Sequence, residues 1–517
     1  MEIKRKMKNW EILALIILLA FALRLPYIGA NFSGDEIDTV GPARHFIIDG
    51  DFRQFNNCDD TPYFNYTHPP VRLFLYSLWA SFFGFSNIAI RLLPTLLGLA
   101  SIVVIYLLGK ELYSEKVGLI AAFLAAVSRY HIYGSNLVST DTGHFMFTTS
   151  ITVLFFVMYL KRNNTKYLAG SILFSIVSMM TKFSTIIIFI PILVASYFYK
   201  KKKIGITYVV LTFVLSTALL LGTSLIMNNS EVFDQPIRGF ITYSQGAAPT
   251  VQDYFMDKVF KLATISWQMT PFFALLLLIS IAALYRTKRD KGFCILCSWL
   301  ILGFLIIFLQ YGQDTQRYFL MMLAPAFLIV AKFTEELDFR SKVLPLTAIV
   351  MIVVAFAINL NDLMGYYQPI YLAIFYLAAL VALFYKKYSI TILIAGFIGM
   401  SIFFAFSGNN IIAIDSRAIG EISKNVIQEG YPYNETWTSK DVSYYLTPQN
   451  ETVRNCELSS LNTDSLRDNN IKYLAFYSNV PKLADINKLI SYCDESYMVY
   501  AENYLVGFAC KVNQTKL

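Results

Sequence analysis

Long apolar segments recur along the chain from Trp10 almost to Ser407, and short polar or basic loops separate them. Many of these segments reach about 20 residues, which is enough at about 1.5 Å per residue to cross a hydrocarbon core of about 30 Å. From Gly408 onward the sequence becomes polar and charged. The pattern predicts a polytopic α-helical membrane protein, with a transmembrane domain over residues 1–407 and a separate domain over residues 408–517.

The apolar segments predict about thirteen transmembrane helices. An odd number of spans places the two ends of the chain on opposite sides of the membrane. The predicted spans cover residues 12–28, 88–108, 117–133, 143–160, 167–182, 185–199, 204–227, 269–285, 293–310, 318–333, 343–360, 369–385 and 389–406.

Residues 71–84 form an apolar segment that is too short to be a span, because a helix of about 14 residues reaches only about 21 Å. We therefore expect a juxtamembrane helix in the outer interface, within a first external loop over residues 29–87. This interpretation leaves the basic clusters of the later loops in the cytoplasm, as the positive-inside rule requires. The basic residues 4–8 before the first span place the N-terminus in the cytoplasm as well.

The composition agrees with a membrane protein. Of the 517 residues, 56% are hydrophobic and 16% aromatic, and the mean hydropathy of +0.51 lies outside the range of soluble domains. The net charge of +8 follows from the basic loops that orient the chain, so it indicates no nucleic-acid partner. We expect a multi-pass protein of the cell (plasma) membrane, with a cytoplasmic N-terminus and an extracytoplasmic C-terminal domain.

The tail over residues 408–517 has the patterns of a small α/β domain. Helix patterns cover residues 416–428 and 482–492, and strand patterns cover residues 473–477 and 497–512. We expect this domain to form a compact cap over the outer membrane face.

Six cysteines divide between two predicted environments. Cys294 and Cys297 belong to a membrane helix, whose apolar setting favours inert thiols over a redox or metal-binding pair. The other four are external, where oxidation is possible, and we expect a disulfide between two of the tail cysteines. These four are Cys58, Cys456, Cys493 and Cys510.

Acidic residues near the outer membrane boundary are the first candidates for catalysis. Asp35 and Glu36 follow the first span, and Asp141 lies in the short external turn between the third and fourth predicted spans. Carboxylates at the edge of a bilayer are costly and are therefore functional candidates. If these helices pack together, the two acidic sites converge. Asp35 would then take the proton of a bound hydroxyl, with Glu36 beside it.

Three cations lie at predicted outer ends of helices, where membrane orientation disfavours positive charge: Arg72, Lys182 and Arg317. An anionic ligand explains their presence, since a guanidinium can bind two phosphate oxygens at once and an ammonium offers a point charge. Contact with membrane lipid head groups is the alternative, and it stays open for Lys182 above all. Arg72 follows two prolines that fix the start of its helix.

Short motifs occur in a fixed order along the chain. They are Asp35-Glu36, His68-Pro69-Pro70-Val71-Arg72, Ala89-Ile90-Arg91-Leu92-Leu93-Pro94, Ser139-Thr140-Asp141 and Arg317-Tyr318-Phe319 with Pro325. In this order the chain resembles the protein O-mannosyltransferases and aminoarabinose (lipid A) transferases, which belong to the GT-C superfamily of polyprenyl-phosphate-sugar glycosyltransferases. The resemblance covers residues 1 to about 200 by motif and the later spans by topology.

The resemblance implies an enzyme that moves a monosaccharide from a dolichyl or undecaprenyl phosphate carrier to a hydroxyl of a protein, lipid or glycan acceptor. Transfer would occur at the outer membrane face with inversion. Asp35 matches the acidic residue held to be the base, Glu36 matches its partner, and Asp141 matches the acid of the second loop.

The resemblance also assigns contacts to the substrate. Arg72 stands where the family's His-Pro-Pro-Leu-x-Lys motif usually has Lys, which keeps the charge and changes the geometry. His68, Lys182, Arg317 and Tyr318 complete the expected substrate-binding set. The Trp-Trp-Asp-Tyr-Gly signature of oligosaccharyltransferases does not occur in the sequence, which disfavours transfer of an oligosaccharide to Asn.

The chemistry leads to the same expectation. A polyprenyl phosphate is a good leaving group, so cations that stabilise it suffice, whereas the acceptor hydroxyl needs a base. The sequence has neither a Gly-rich phosphate loop nor a Cys/His zinc pattern. A divalent cation that bridges Asp35 and Asp141 stays open.

A polytopic transporter or flippase of a lipid-linked or anionic substrate is the alternative function. It would also place charges within a helical bundle, but the sequence shows no inverted repeat and no matching pair of broken helices. A non-catalytic envelope scaffold would need none of the acidic residues.

Overall fold

The computed structural model describes residues 7–32, 34–56, 62–64, 68–139, 142–245, 258, 265, 269–287, 290–309, 315–336, 389–406, 411–431, 436–438, 442, 445, 454–455, 471–477, 490–501, 504–513 and 515. Several expectations lie outside these residues. They are Asp141, the spans 343–360 and 369–385, residues 482–489 of the expected tail helix, Cys58 and Cys456.

Helices make up most of the described chain. In chain order they are α1 (Asn9–Ala22), α2 (Ile37–Asp49), α3 (Val71–Phe83), α4 (Asn87–Leu112), α5 (Glu115–Val127), α6 (Arg129–Asn136), α7 (Gly143–Arg162), α8 (Thr165–Met179), α9 (Phe189–Phe198), α10 (Lys202–Ile226), α11 (Glu231–Gln245), α12 (Pro271–Thr287), α13 (Lys291–Leu309), α14 (Leu323–Glu335), α15 (Ser389–Phe406) and α16 (Ile411–Gln428).

Four of the described helices are long and apolar enough to cross a membrane, namely Asn9–Tyr27, Asn87–Leu112, Gly143–Arg162 and Lys202–Ile226. A fifth span results if the bent pair of α5 and α6 crosses as one unit, and six further apolar helices of 10–17 residues occur among the described residues. The predicted class, a polytopic α-helical membrane protein with a small C-terminal sheet, is therefore confirmed. The number of thirteen spans stays a prediction.

The predicted continuous span 117–133 is broken in the structure. Helix α5 ends at Val127, α6 begins at Arg129, and the two are bent by 65°. Ser128 starts the second helix, because its side chain accepts a hydrogen bond from the backbone N–H of His131. His131 is fully buried beside the break and accepts a hydrogen bond from Arg24 at 2.8 Å. The pattern of apolar residues along the sequence does not reveal a polar turn inside an apolar segment.

The backbones of α4 and α5 approach each other closely at two glycines. A Cβ on Gly109 of α4 would lie 2.7 Å from the Cα of Gly118 of α5, so neither position accepts a side chain without movement. Small residues allow this contact between membrane helices.

Helix α3 has the length expected of the juxtamembrane segment, with 13 residues between Pro70 and Gly84. Gly84 ends the helix with φ +78°, a conformation that favours glycine. The far end of α3 is exposed at Leu78, Phe82 and Phe83, and these apolar side chains suit an interface with lipid.

The tail contains a four-stranded sheet in the order β3-β5-β7-β6, with β3 (Thr436–Thr438), β5 (Tyr473–Tyr477), β6 (Cys493–Ala501) and β7 (Tyr504–Val512). Strands β3 and β5 are parallel, and the other neighbours are antiparallel. The predicted strand 473–477 is confirmed. The single predicted strand 497–512 is wrong, because β6 ends at Ala501 and the antiparallel β7 begins at Tyr504.

The tail is fastened in two ways. The expected disulfide occurs between Cys493 and Cys510, with an S–S distance of 2.03 Å. A second sheet has the order β2-β1-β4 and contains β1 (Arg53–Asn56) and β2 (Pro62–Phe64) of the first external loop and β4 (Arg454–Asn455) of the tail. Strands β1 and β4 pair in parallel, which joins this loop directly to the C-terminal residues.

The positive-inside pattern predicts the orientation of these elements. In a background without reactive cysteines, we expect a cysteine at position 434 to react with a membrane-impermeant maleimide in intact cells. A cysteine at position 163, at the end of α7, should react only after permeabilisation. The reverse labelling pattern would overturn both the predicted orientation and an active site at the outer face.

Candidate active site

A buried ion pair between Glu36 and Arg91 is the centre of the candidate site. Two nitrogens of the guanidinium meet the two carboxylate oxygens at 2.5 and 2.7 Å, and both side chains are at most 2% exposed. Glu36 ends a short 3-10 turn, Gly34–Glu36, directly before α2, and Arg91 lies in the first turns of α4. The pair therefore joins the loop before α2 to the start of α4.

Arg91 uses all of its hydrogen-bond capacity. Besides Glu36, its guanidinium donates to the carbonyl oxygens of Ala30 at 2.8 Å, Asn31 at 2.7 Å and Asn136 at 2.8 Å. An arginine has five N–H donors, and each of them has a partner here. Because these partners come from two separate loops, one side chain fixes both loops relative to α4.

Glu36 makes a third contact that extends this link. Its carboxylate accepts a hydrogen bond from the backbone N–H of Val138 at 2.9 Å. The segment after α6 thus contacts the loop that carries Asp35. Farther along, the Thr142 hydroxyl donates to the carbonyl of Ser139 at 2.9 Å. The convergence of the two acidic loops stays a prediction, because Asp141 lies outside the described residues.

The start of α7 is held close to α4. A Cβ on Gly143 would lie 2.0 Å from the carbonyl oxygen of Pro94, one turn after Arg91. Only glycine fits this contact, since the obstacle is backbone. The start of α7 is therefore fixed against the outer turns of α4 by a contact that only glycine permits.

Asp35 lies at the surface of this arrangement. Its side chain is exposed, and its backbone carbonyl accepts a hydrogen bond from Thr39 at 3.1 Å. Glu36 points inward at the neighbouring position, where Arg91 compensates its charge. The two acids expected to act together therefore have different surroundings: Asp35 can be reached from outside, and Glu36 is buried in the fold.

The cations Arg72 and Lys182 come from neighbouring parts of the backbone. The N–H of Val71, directly before Arg72, donates to the carbonyl of Met180, two residues before Lys182, at 3.3 Å. Both cationic side chains are 5% exposed. Two cations on backbone segments that contact each other suit a phosphate.

Tyr76 shows how near Arg72 lies to the ion pair. It follows Arg72 by one helical turn, is fully buried, and interacts electrostatically with Arg72, Glu36 and Arg91. Burial raises the pKa of the Tyr76 phenol above its ordinary value, and the nearby Arg72 guanidinium opposes the rise. Its ring lies 6.4 Å from that of His144, edge to face. Tyr76 thus connects the helix that carries Arg72 with the start of α7.

The remaining predicted residues are placed less fully. His68 is half-buried in the bend before α3. Arg317 and Tyr318 belong to a 3-10 turn, Thr315–Met322, that leads into α14, and only their backbone is described. Among the described residues there is no cluster of three metal-ligating side chains. The cation that would bridge Asp35 and Asp141 stays untested.

The cap contacts the same loop. The backbone N–H of Phe32 donates to the hydroxyl of Tyr445, which lies 3.4 Å from the side-chain oxygen of Asn87 at the start of α4. The Arg91 guanidinium also lies over the Phe32 ring, with its central carbon 5.0 Å from the ring centre. A residue of the tail therefore supports the loop three positions before Asp35.

Arg91 and Tyr76 are the residues that reasoning from sequence missed. Arg91 lies at the predicted outer end of a span, where membrane orientation disfavours positive charge. The argument that identifies Arg72 as a candidate therefore applies to Arg91 as well. Tyr76 has no signal of its own in the sequence, because an aromatic residue on an apolar helix is ordinary.

Comparisons with known proteins agree with this architecture. Residues 67–226 match the family model of dolichyl-phosphate-mannose-protein mannosyltransferase, a segment that includes Arg72, Arg91 and Lys182. None of the curated proteins matches the sequence.

Solved structures show the likeness over the whole chain. The apo structure of ArnT from Cupriavidus metallidurans has a TM-score of 0.63 at 14% identity and covers 98% of each chain. ArnT bound to undecaprenyl phosphate has a TM-score of 0.63 at 12% identity and covers 97% of each chain. The oligosaccharyltransferase AglB from Archaeoglobus fulgidus, in complex with an inhibitory peptide and a dolichol-phosphate, has a TM-score of 0.53 at 12% identity. The match covers 98% of this chain and 74% of the AglB chain.

The predicted resemblance is therefore confirmed. The chain has the fold of the GT-C glycosyltransferases, and its segment 67–226 matches the mannosyltransferase family model. It is a multi-pass membrane protein of this fold class.

Proposed function

We propose that the protein is an inverting glycosyltransferase that moves a monosaccharide from a polyprenyl phosphate to a hydroxyl of a protein, lipid or glycan acceptor at the outer membrane face. One observation carries the proposal. The buried Glu36–Arg91 pair fixes the loop of Asp35 against the segment at Val138. Tyr76, one turn after Arg72, packs in the same core cluster as the chain neighbours of this pair. We propose that Asp35 acts as a base beside cations that bind the phosphate.

The phosphate would be bound by Arg72 and Lys182. The prolines before Arg72 fix the start of α3, and the hydrogen bond from Val71 to Met180 fixes that helix start against the Lys182 turn. Preorganised cations lower the free energy of a departing phosphate without reorganisation during the reaction. Arg317, Tyr318 and His68 are proposed as further contacts of the donor.

The transfer itself would be a single displacement. The acceptor oxygen attacks the anomeric carbon, the bond from that carbon to the phosphate oxygen breaks, and the polyprenyl phosphate leaves with the electron pair. Asp35 takes the acceptor proton, because its carboxylate is exposed to an incoming hydroxyl. We propose Glu36 as a positioning residue, since Arg91 already occupies both of its oxygens. Asp141 would help to orient the acceptor.

The two domains would divide the work. Residues 1–407 would bind the donor within the membrane, and residues 408–517 would form an extracytoplasmic cap that supports the catalytic loop through Tyr445. The neighbours crystallised with undecaprenyl phosphate and with a dolichol-phosphate support a polyprenyl phosphate as the carrier.

A panel of donors tests the proposal. Purified protein would be incubated with polyprenyl-phosphate sugars that vary in sugar and in polyprenol, together with a detergent extract of envelope acceptors. We expect release of free polyprenyl phosphate from at least one donor, and only when acceptor is present. A transporter or flippase would instead move a lipid-linked substrate across a vesicle bilayer and leave the sugar–phosphate bond intact.

Binding of the donor tests the role of Arg72. Arg72→Ala should weaken donor binding by about 10-fold or more, and Arg72→Lys should recover part of the loss, because lysine keeps the charge and loses the bidentate geometry. Arg162→Ala, which removes a half-exposed arginine at the other end of the bundle, is the matched control. Unchanged affinity of Arg72→Ala for a fluorescent donor analogue would remove Arg72 from the phosphate site.

A further inference from the structure

Four consecutive lysines, Lys200 to Lys203, lie at the tight turn between α9 and α10 and in the first residues of α10. Phe198 ends α9, α10 begins at Lys202, and the chain reverses direction through Lys200 and Lys201. Lys200 has φ +57°, in the left-handed region where glycine or asparagine is more favourable than lysine. Local backbone preference therefore does not explain a lysine at this position.

An open cavity of about 800 Å³ lies at this turn. It is lined by Tyr197, Phe198, Ile204 and the lysines from Lys200 to Lys203. Its wall combines an aromatic and aliphatic part with a basic part, which is the pairing that a lipid head group meets at a membrane surface.

Two of the lysines are held in place by neighbouring helices and rings. Lys201 donates to the side-chain oxygen of Asn163 at 2.8 Å, and its ammonium lies 4.7 Å from the centre of the Tyr159 ring. The ammonium of Lys202 lies 4.4 Å from the centre of the Tyr197 ring. These contacts order part of the basic wall before any ligand binds.

An apolar face of α10 leads to the cavity. The helix is long and apolar, and Ile206, Val210 and Phe213 are each more than half exposed, so this face suits contact with acyl chains. The cavity begins directly where the apolar surface ends. Tyr197, 57% exposed at the same level, is a typical residue of the interface.

We propose that this cavity binds the phosphate head group of an acidic phospholipid, whose acyl chains lie along α10. The positive-inside rule explains basic residues in the loop, but it does not explain a cavity or a lysine in the left-handed region. The predicted orientation places the site in the cytoplasmic leaflet, where acidic lipids attract basic side chains. The site lies at the other end of α9 from the turn that carries Lys182, and it is independent of the proposed catalytic reaction.

Native mass spectrometry of the full-length protein tests the proposal, with titration of phosphatidylglycerol and phosphatidylcholine. We expect Lys200→Gln with Lys203→Gln to lower the affinity for phosphatidylglycerol by about 10- to 30-fold, because each lysine near an anionic surface contributes about a factor of 5. Affinity for phosphatidylcholine should stay unchanged. Both lysines are exposed and lie outside the contacts of Lys201 and Lys202 with their rings.

Two matched variants complete the experiment. Lys116→Gln with Lys166→Gln removes the same charge from exposed positions of the same predicted membrane face and should keep the parent affinity. Lys200→Arg with Lys203→Arg should also keep it, which guards against a loss that comes from misfolding. Equal phosphatidylglycerol affinity in the parent and the Gln double variant would overturn the proposal. Glycerol 3-phosphate that competes as well as the lipid would overturn its assignment to a lipid.

Discussion

Asp35→Asn is expected to lower the rate of sugar transfer by about 10²- to 10⁴-fold, the usual contribution of a positioned general base. Asparagine has nearly the same shape as aspartate but cannot accept the acceptor proton. The proposed phosphate contacts lie on α3 and on the Lys182 turn, so binding of the donor should survive. Initial rates at saturating donor and acceptor, together with donor affinity, measure the two effects separately.

A matched control exists in the same loop. Asp49 is an exposed aspartate at the end of α2, and Asp49→Asn should transfer sugar at the parent rate. Transfer by Asp35→Asn at the parent rate would show that Asp35 is not the base. Because Glu36 is already paired with Arg91, the search for a base would then move to Asp141.

Arg91→Met is expected to cause the largest loss of stability, about 3–5 kcal/mol in the free energy of unfolding. The change leaves the Glu36 carboxylate buried without a compensating charge, and it leaves three backbone carbonyls without their donor. Transfer should fall with it, because the loops of Asp35 and Asp141 lose their common anchor. The midpoint of thermal unfolding in detergent and the transfer rate are the two measurements.

A double variant separates charge from architecture. Arg91→Met combined with Glu36→Gln removes the uncompensated charge and should recover part of the stability, because a buried pair costs most when only one partner is removed. Transfer should stay low, since the loops are still not joined. Simple additivity of the two single losses in stability would contradict the coupling of Glu36 to Arg91.

The elements that the sequence predicts well are those set by local pattern. Helix α15 and strand β5 have the predicted bounds, and α3 was predicted within one residue, because apolar length and flanking Pro or Gly define them. The break at Ser128 is not visible in the sequence, because it depends on His131 and on the buried Arg24, which lies just after α1. A local pattern holds no information on such a partner.

The members of the candidate site are predicted from the sequence, whereas their contacts are not. Asp35, Glu36 and Arg72 stay predicted site residues, since charge at a membrane boundary is visible in one sequence. The pairing of Glu36 with Arg91 joins positions 55 residues apart and can be seen only in the fold. We therefore propose that Glu36 positions Asp35 and is not a second catalytic acid.

The central claim is that a polyprenyl phosphate leaves as the acceptor hydroxyl is glycosylated. With a donor labelled in the sugar, the amounts of released polyprenyl phosphate and of labelled acceptor would be followed together, in the parent and in Asp35→Asn. The account predicts one released polyprenyl phosphate for each sugar transferred in the parent, and a loss of both products together in the variant. Equal release by the parent and Asp35→Asn, or release without labelled acceptor, would contradict it.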